Sequence, residues 1–372
     1  MSDKYQKFVE TILDRAGVTI SGKNPWDIQV HDTRFFRRAI AEGELGVGES
    51  YMDGWWDVPH LDQFLSRVLR AQIDEEIGSQ WAIMLRLALT KAVNFQSKRR
   101  AFVVGQRHYD IGNDLFAQML DKRMNYSCAY WDGANTLDDA QEKKLDLICR
   151  KIHLQPGMRV LDIGCGWGAF GKYAAERCGA TVVGITVSKQ QVELGRALCE
   201  GLPVEFRLMD YREVDGWFDR IVSIGMVEHV GYKNYGKFFE VARRCLTDEG
   251  LFLLHTIGSN RSVTTNNAWT EKYIFPNGML PSIAQLGKAV EGLFVMEDWH
   301  SFGQYYDRTL MAWYQNVTSN WEKLRDRYDD RFYRMWKYFL LSSAGSFRAR
   351  HDQLWQIVLS KEGITGGYQA VR

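Results

Sequence analysis

A short glycine-rich segment near the middle of the chain has the composition of a ligand-binding loop. Three glycines alternate with Cys165 and Trp167 directly after an acidic residue, in the order Asp162-Ile163-Gly164-Cys165-Gly166-Trp167-Gly168. Glycine lets the backbone approach a ligand closely, and an apolar run before the loop with a helical pattern after it predicts the carboxyl edge of a parallel sheet. The spacing differs from the dinucleotide fingerprint Gly-x-Gly-x-x-Gly. A glycine turn without a ligand and a dinucleotide site are the alternatives.

Hydroxyl and amide side chains follow the second predicted strand, residues 181–185. The chain there continues into Thr186-Val187-Ser188-Lys189-Gln190-Gln191, and no acidic residue closes the strand, which argues against a dinucleotide site. The glycine loop resembles the S-adenosylmethionine loop of class I methyltransferases, many of which carry an acidic ribose ligand at this point. Thr186 and Gln191 are therefore our candidates for binding the ribose and methionine moieties of that cofactor.

Alternating strands and helices must position these loops. Short apolar runs that predict strands occur at residues 159–163, 181–185, 204–208, 218–223 and 251–255. With the helical patterns between them, they predict a doubly wound, Rossmann-like α/β sheet. The residues before this region predict short helices separated by glycine turns, including turns at Gly43, Gly46 and Gly48.

The length of the chain indicates two domains, because 372 residues exceed the roughly 250–300 at which single cores stop growing. We assign residues 1–95 to a small, mainly helical N-terminal domain, residues 96–108 to a linker and residues 109–372 to the catalytic α/β domain.

Hydrophobic residues make up 45% of the chain, which is the composition of a globular protein. Lys and Arg number 47 against 46 Asp and Glu, so we expect no nucleic-acid partner.

The cysteines and the hydropathy of the chain indicate the cellular compartment in which the protein works. The six cysteines form no Cys-x-x-Cys pair and no zinc-finger spacing, so we expect free thiols in a reducing cytoplasm and no metal site. The first residues lack the apolar core of a signal peptide. No apolar run approaches the ~20 residues of a transmembrane helix. We therefore expect a cytoplasmic protein whose membrane contact is peripheral.

Six motifs in a fixed order make the chain resemble one family closely. These are Gly48-Glu49-Ser50-Tyr51-Met52-Asp53-Gly54-Trp55-Trp56, Tyr126-Ser127-Cys128-Ala129-Tyr130-Trp131, the glycine loop, Glu228-His229-Val230-Gly231, Leu253-Leu254-His255-Thr256-Ile257-Gly258 and Tyr273-Ile274-Phe275-Pro276-Asn277-Gly278. Together they resemble the bacterial cyclopropane-fatty-acyl-phospholipid synthases over essentially the whole chain. The first motif resembles the N-terminal domain that the related mycolic-acid cyclopropane synthases lack.

The resemblance implies a class I methyltransferase fold and a reaction of S-adenosylmethionine with cis double bonds in phospholipid acyl chains. A carbocation forms, a bound bicarbonate ion removes a proton from the new methyl group, and the cyclopropane ring closes. The positions implied to hold bicarbonate are Cys128, Glu228, His255, Ile257 and Tyr306. Those implied to bind the cofactor, beyond Asp162, Gly164, Gly166, Gly168, Thr186 and Gln191, are Tyr126, Ser127, Asp210 and Tyr211. The resemblance also implies a homodimer.

Each implied role has a structural alternative. A histidine at a strand end, such as His255, is often a satisfied structural residue, and Glu228 has the position of a helix cap. Cys128 and Tyr306 are compatible with ordinary packing. The chain departs from the family pattern at Ser343, where some members carry a cysteine. The alternative functions are methylation of a small amine or sterol by another class I enzyme, and membrane binding by a degenerate fold without catalysis.

Basic residues bracket an apolar stretch after the N-terminal helices. They are Arg86, Lys91, Lys98, Arg99, Arg100 and Arg107. Basic charge next to an apolar helix suits an anionic lipid surface, which predicts a peripheral membrane contact there. A core helix followed by a solvated linker is the alternative.

Overall fold

The computed structural model describes residues 2–72 and 112–372 and divides them into two compact units. The first unit holds the described residues up to 72 together with Thr264–Pro276 and Tyr306–Asp352. The second holds residues 112–263, Asn277–Tyr305 and Gln353–Arg372. Two late segments of the chain thus group with the N-terminal helices. The predicted division at residue 95, the linker at 96–108 and the basic residues from Arg86 to Arg107 lie outside the described residues and stay predictions.

Helices and strands alternate through most of the described chain. The helices, in chain order, are α1 (Ser2–Asp14), α2 (Arg34–Glu42), α3 (Glu44–Met52), α4 (Leu61–Arg70), α5 (Asn113–Met119), α6 (Leu137–Lys151), α7 (Ala169–Cys178), α8 (Lys189–Leu198), α9 (Tyr235–Cys245), α10 (Ala268–Tyr273), α11 (Ile283–Val290), α12 (Gln304–Asn320) and α13 (Asp330–Arg348). The strands are β1 (Gln29–Val30), β2 (Trp56–Asp57), β3 (Arg159–Ile163), β4 (Thr181–Thr186), β5 (Val204–Leu208), β6 (Phe218–Ile224), β7 (Leu246–Ser259), β8 (Val295–Ser301) and β9 (Asp352–Ser360). Within these described ranges, no helix combines the length and apolarity needed to cross a membrane.

Seven strands of the second unit form one sheet in the order β5-β4-β3-β6-β7-β9-β8. The first five of these are paired in parallel, so their carboxyl ends lie at one edge. The strand order reverses at β3, which pairs with β4 on one side and β6 on the other. Ligands of open α/β sheets bind in the crevice at such a reversal. The predicted doubly wound α/β fold is confirmed.

Two features of the sheet were not predicted. The strand expected at residues 251–255 is the central part of β7, which extends over Leu246–Ser259. The antiparallel pair β8 and β9 completes the sheet beyond β7. β9 is buried along nearly its whole length although Gln353 and Gln356 interrupt its apolar residues, so its sequence shows neither a continuous apolar run nor a regular alternation.

The first unit is built around an aromatic core. The Tyr51 ring lies 5.1 Å from Trp56 and 5.5 Å from Tyr338, and Trp269 lies 4.7 Å from Tyr338, between ring centroids. The buried carboxylate of Glu49 accepts a hydrogen bond from the Tyr273 hydroxyl at 2.7 Å and forms ion pairs with Arg38 and Lys272. These contacts join α3 to segments more than 200 residues later in the sequence.

The predicted turns at Gly46 and Gly48 are wrong, because both glycines lie inside α3. A Cβ atom on Gly48 would lie 2.4 Å from Cδ1 of Trp269, and one on Gly46 would lie 2.5 Å from the carbonyl oxygen of Arg38. These glycines permit close packing of a helix rather than a turn. Gly43, with a φ of 56°, does form the predicted turn between α2 and α3.

The packing at Gly48 predicts opposite effects of the same substitution at two helical glycines. Gly48→Ala should lower the melting temperature, because overpacking costs about 1–3 kcal/mol and exceeds the ~1 kcal/mol gained in helix propensity. Gly236→Ala in α9 should raise it by a few degrees, because an added Cβ there meets no atom within 4 Å. Thermal unfolding followed by circular dichroism tests both. An equal rise in the two variants would contradict the tight packing of Gly48 against Trp269.

Candidate active site

The glycine loop lies at the reversal of the strand order, between β3 and α7. The backbone N–H groups of Gly164 and Cys165 both donate to the carbonyl of Ile185 at 3.0 Å, which fixes the loop to the end of β4. A Cβ on Gly164 would lie 2.6 Å from that of Met226, and one on Gly168 would lie 2.4 Å from the Phe206 ring. Packing therefore requires these two glycines.

Gly166 differs from its two neighbours. Its φ is +54°, and a Cβ there would meet no atom of the protein within 4 Å. The loop thus presents open space at its centre, as a backbone that approaches a ligand must. It also leads directly into α7, whose N-terminus favours negative charge.

Asp162 brings an unsatisfied carboxylate to this loop. Its side chain is buried at the end of β3, and Oδ1 has no hydrogen-bond partner among the described residues. Burial raises its pKa to about 7, against the opposing effect of the Lys144 charge. A buried polar atom without a partner is unfavourable, so a ligand that donates a hydrogen bond would stabilise it.

The side chains predicted after the second strand do come together. Thr186 ends β4, and its hydroxyl donates to Oε1 of Gln191 at 2.6 Å. Ser188 caps α8 by accepting a hydrogen bond from the Gln191 N–H at 3.3 Å. The two predicted residues are thus held at the carboxyl edge of the sheet, at the start of one helix.

Asp210 and Tyr211 follow β5 at the same edge. One carboxylate oxygen of Asp210 accepts from the Arg212 N–H at 2.9 Å and the other pairs with its guanidinium at 3.1 Å. The Tyr211 ring is buried, and within the described ranges its hydroxyl has no hydrogen-bond partner. Burial raises the pKa of Tyr211 to about 12, so this hydroxyl stays protonated and can donate.

The segment from Asn125 to Cys128 is held by one buried lysine. Lys144 Nζ donates to Oδ1 of Asn125 at 2.8 Å and to Oγ of Ser127 at 3.1 Å. The Tyr126 ring packs against Phe116 with centroids 5.1 Å apart, and the Cys128 thiol is fully buried and donates to the Ala129 carbonyl at 3.3 Å. Sequence reasoning missed Lys144, because a lysine on an amphipathic helix is usually exposed.

Glu228 occupies a single helical turn, Val227–His229, after β6. Its Oε1 accepts a hydrogen bond from the Ile257 N–H at 2.8 Å, whereas Oε2 is buried without a partner in the described structure. Burial raises the pKa of Glu228 to about 7, although the hydrogen bond from the Ile257 N–H opposes the shift. The carboxyl group therefore changes its protonation state near neutral pH.

His255 lies two residues before Ile257 on β7. Its Nδ1 lies 3.3 Å from Nε2 of Gln356, and its Nε2 is buried with no partner among the described residues. Burial, together with the charges of Lys144 and Lys151, holds the pKa of His255 well below its ordinary value. With the Gln356 amide in this orientation, Nδ1 accepts and the neutral imidazole carries its hydrogen on Nε2.

The structure thus brings Glu228, His255 and Ile257 together at the ends of β6 and β7. Oε2 of Glu228 and Nε2 of His255 are both buried without a hydrogen-bond partner among the described residues. Tyr306 belongs to the other compact unit, where its ring packs 4.6 Å from that of Phe347. Ser343 is half-buried within α13 of that unit.

The chain is similar to known lipid-modifying methyltransferases. The family model described as mycolic acid cyclopropane synthetase matches residues 96–357. The cyclopropane-fatty-acyl-phospholipid synthase of Escherichia coli K12 is 50% identical over 370 residues, which span 100% of this chain and 97% of that protein.

Solved structures agree with this similarity. The cyclopropane synthase MmaA2 from Mycobacterium tuberculosis is 32% identical with a TM-score of 0.65, covering 70% of this chain and 98% of that one. The mycolic acid cyclopropane synthase CmaA1, solved with S-adenosylhomocysteine and CTAB, is 34% identical with the same TM-score and coverage. The class I methyltransferase fold expected from the sequence is thereby confirmed.

The buried carboxyl group of Glu228 predicts a pH-dependent stability. In the folded state it stays protonated up to about pH 7, whereas in the unfolded chain it ionises near 4.5, so its contribution to stability is present below pH 4.5 and is lost as pH rises through 7. At about 1.4 kcal/mol per pH unit, the loss is roughly 3 kcal/mol. The melting temperature of Glu228→Gln should therefore rise relative to wild type between about pH 5 and about pH 7.5.

Glu205→Gln is the matched control for this measurement. Glu205 is exposed, and its hydrogen bonds with Arg207 lower its pKa, so it is ionised in both states above pH 5. Its melting temperature should follow that of wild type across the range. A constant difference between wild type and Glu228→Gln would show that Glu228 is already ionised in the folded protein at pH 5.

Proposed function

Because the chain belongs to the mycolic acid cyclopropane synthetase family, we propose that it converts cis double bonds of phospholipid acyl chains into cyclopropane rings. It is an S-adenosylmethionine-dependent methyltransferase. The observation that carries the proposed reaction is the arrangement at the carboxyl edge of the sheet. An open glycine loop lies there, together with two buried atoms that have no hydrogen-bond partner among the described residues, Oε2 of Glu228 and Nε2 of His255.

The loop and its surroundings fit S-adenosylmethionine. Open space at Gly166 and the unpartnered atoms of Asp162 and Tyr211 are the features that such a cofactor would fill. The residues that would hold it are Tyr126, Ser127, Asp162, Gly164, Gly166, Gly168, Thr186, Gln191, Asp210 and Tyr211. When bound, the cofactor supplies a methyl group on a sulfonium, which is electrophilic enough to react with an alkene.

Aromatic side chains next to His255 suit the charge that this reaction develops. The Phe302 ring lies 6.0 Å from the imidazole, and the Tyr130 ring packs edge-on at 5.4 Å from both Phe302 and Tyr305. An alkene that takes up a methyl cation becomes a carbocation, which aromatic faces stabilise without bonding to it. We propose that this cluster borders the acyl chain.

The second half of the reaction removes a proton from the new methyl group, and the electrons of that C–H bond close the ring. We propose bicarbonate as the base, held by Glu228 and His255. The Oε2 atom of Glu228 would accept from the bicarbonate hydroxyl, and the Nε2–H of His255 would donate to a bicarbonate oxygen. Ile257 would act through Glu228, because its N–H is already given to that carboxylate.

Cys128 and Tyr306 complete the proposed set of bicarbonate ligands on the strength of the family resemblance. A second candidate for the base is Glu228 itself, since a carboxyl with a pKa of about 7 is suited to proton transfer at neutral pH. The two candidates differ in whether turnover depends on bicarbonate.

The reaction is tested with S-adenosylmethionine and vesicles of unsaturated phospholipid, followed by mass spectrometry of the acyl chains. Wild type should add one methylene group per double bond and should lose activity in carefully degassed buffer. Glu228→Gln and His255→Ala should still bind S-adenosylmethionine in calorimetry but lose turnover by about 100-fold or more, since a positioned base contributes about 10²–10⁴-fold. An unchanged acyl mass with wild type would disprove the function. Full activity without bicarbonate would leave the function standing and assign the base to Glu228.

We also propose peripheral binding to the inner face of an anionic membrane, through the basic residues at 86–107. Charge reversal of Lys98, Arg99 and Arg100 to Glu should weaken sedimentation with anionic vesicles, at ~1 kcal/mol per basic residue and in a salt-dependent way. The same reversal of Lys189, Lys233 and Lys237, which are exposed in the second unit, changes the net charge equally and should have a smaller effect. Equal loss in both variants would reject a localised patch.

The N-terminal helices have two further proposed roles, in binding lipid and in forming a homodimer. Their support is the match with the Escherichia coli synthase, which extends over the whole chain, whereas the family model begins at residue 96. Sedimentation equilibrium of the full chain would measure the oligomeric state directly.

A further inference from the structure

Lys144 is a buried cation that the proposed reaction has not yet used. It lies on α6 with only 1% of its surface exposed. Its two hydrogen-bond acceptors, Asn125 Oδ1 and Ser127 Oγ, are neutral. In the described part of the chain no carboxylate is in ion-pair contact with its ammonium group. A buried charge without a contact ion pair is unfavourable unless other groups or a ligand stabilise it.

A second lysine on the same helix shows the usual way of burying such a charge. Lys151 is fully buried seven residues later, and its Nζ lies 3.4 Å from Oδ2 of Asp298 and 3.0 Å from Nδ1 of His300. Arg372 also pairs with Asp298, at 2.6 Å. Lys151 thus has a carboxylate in direct contact, whereas the direct partners of Lys144 are neutral and the carboxylates that act on its charge, Asp121 and Asp162, do so without a contact ion pair.

The contacts of Lys144 connect it to residues of the candidate site. Its bond to Ser127 fixes the residue before Cys128, and Gln141, one helical turn earlier, donates to the Ser127 carbonyl at 2.9 Å. Asn125 is held in turn by Asp121, through a side-chain hydrogen bond of 2.9 Å. The ammonium charge also acts on Asp162 at the glycine loop and on His255 of β7, although the charge of Lys151 acts on His255 as well.

We propose that Lys144 is a positioning residue for the bound anion: it holds the Asn125–Cys128 segment in place and supplies the positive charge that lets a buried site accept bicarbonate. This inference rests on the proposed function. Unit charges separated by several ångströms in a protein interior, at an effective dielectric constant of about 20, interact strongly enough to change an affinity by at least about tenfold. Neither the neutral imidazole of His255 nor the carboxyl group of Glu228 supplies such a positive charge.

The test separates the charge from the hydrogen bonds. Lys144→Gln keeps a donor but removes the charge, Lys144→Met removes both, and Lys151→Met removes the compensated charge as a control. Binding is measured as the rise in melting temperature with added bicarbonate, in the absence of lipid and S-adenosylmethionine. Turnover gives the half-saturating bicarbonate concentration, and calorimetry gives the affinity for S-adenosylmethionine.

We expect Lys144→Gln to raise the bicarbonate requirement at least about tenfold in both measurements, while its affinity for S-adenosylmethionine changes less than about threefold. Lys151→Met should shift the bicarbonate requirement less than about threefold, even where it lowers the melting temperature. If Lys144→Met does not fold, Lys144→Gln still tests whether the charge is needed for bicarbonate binding. An unchanged requirement in Lys144→Gln, equal shifts in the Lys144 and Lys151 variants, or a loss confined to S-adenosylmethionine binding would each overturn the inference. Failure of the proposed function is recognised separately, because wild type would then show no methylene gain.

Discussion

The hydrogen bond from the Ile257 N–H to Glu228 Oε1 ties the turn after β6 to the neighbouring strand β7. It occupies one oxygen of a buried carboxyl group, and the other oxygen has no partner in the described part of the chain. The parallel pairing of β6 with β7, in which Ile224 lies opposite His255, places the turn and the imidazole at the same level of the sheet. Glu228 is thus bound by Ile257, which lies two residues after His255 on the same strand. The separation of the two side chains therefore depends on the register of the sheet rather than on a loop.

Several ionisable groups are buried around this arrangement, and each disfavours folding in its charged form. Burial raises the pKa values of Asp162 and Glu228 to about 7 and lowers that of Lys144 to about 8. The fold keeps these groups where apolar residues would pack with less penalty. Such local conflicts between stability and composition are expected at functional sites, where a ligand supplies the missing partners.

Local patterns in the sequence predicted the strands of the parallel sheet well. The run at 204–208 is β5 as it stands, and the glycine loop lies where a ligand site of an α/β sheet is expected. The helix predicted from Ser188 to about Cys199 is α8, with Ser188 and Cys199 as its two capping residues. Its ends could be predicted because helix capping depends on residues that are close in sequence. The resemblance to a family, rather than residue spacing, singled out Glu228 and His255.

What could not be predicted depends on contacts between distant segments. Gly48 lies inside a helix, and a glycine is needed there because Trp269, 221 residues later, occupies the space that a side chain would take. Gln356 orients His255, and Lys144 holds Ser127. Both are polar residues on buried faces, and no local pattern in the sequence reveals their partners. The sequence of β9 does not predict a strand, because buried glutamines interrupt its apolar residues without a regular period.

The position of β9 has a consequence for how the protein is made. This strand follows β7 and β8 in the chain but lies between them in the sheet, so it enters the interior after both neighbours have been synthesised. Until it does, β8 lacks its antiparallel partner and His255 lacks Gln356. Domains generally fold as units while the chain is being synthesised, but this sheet cannot close early. The nascent chain therefore carries an open β7 edge until β9 has been synthesised, and such an edge can pair with other chains.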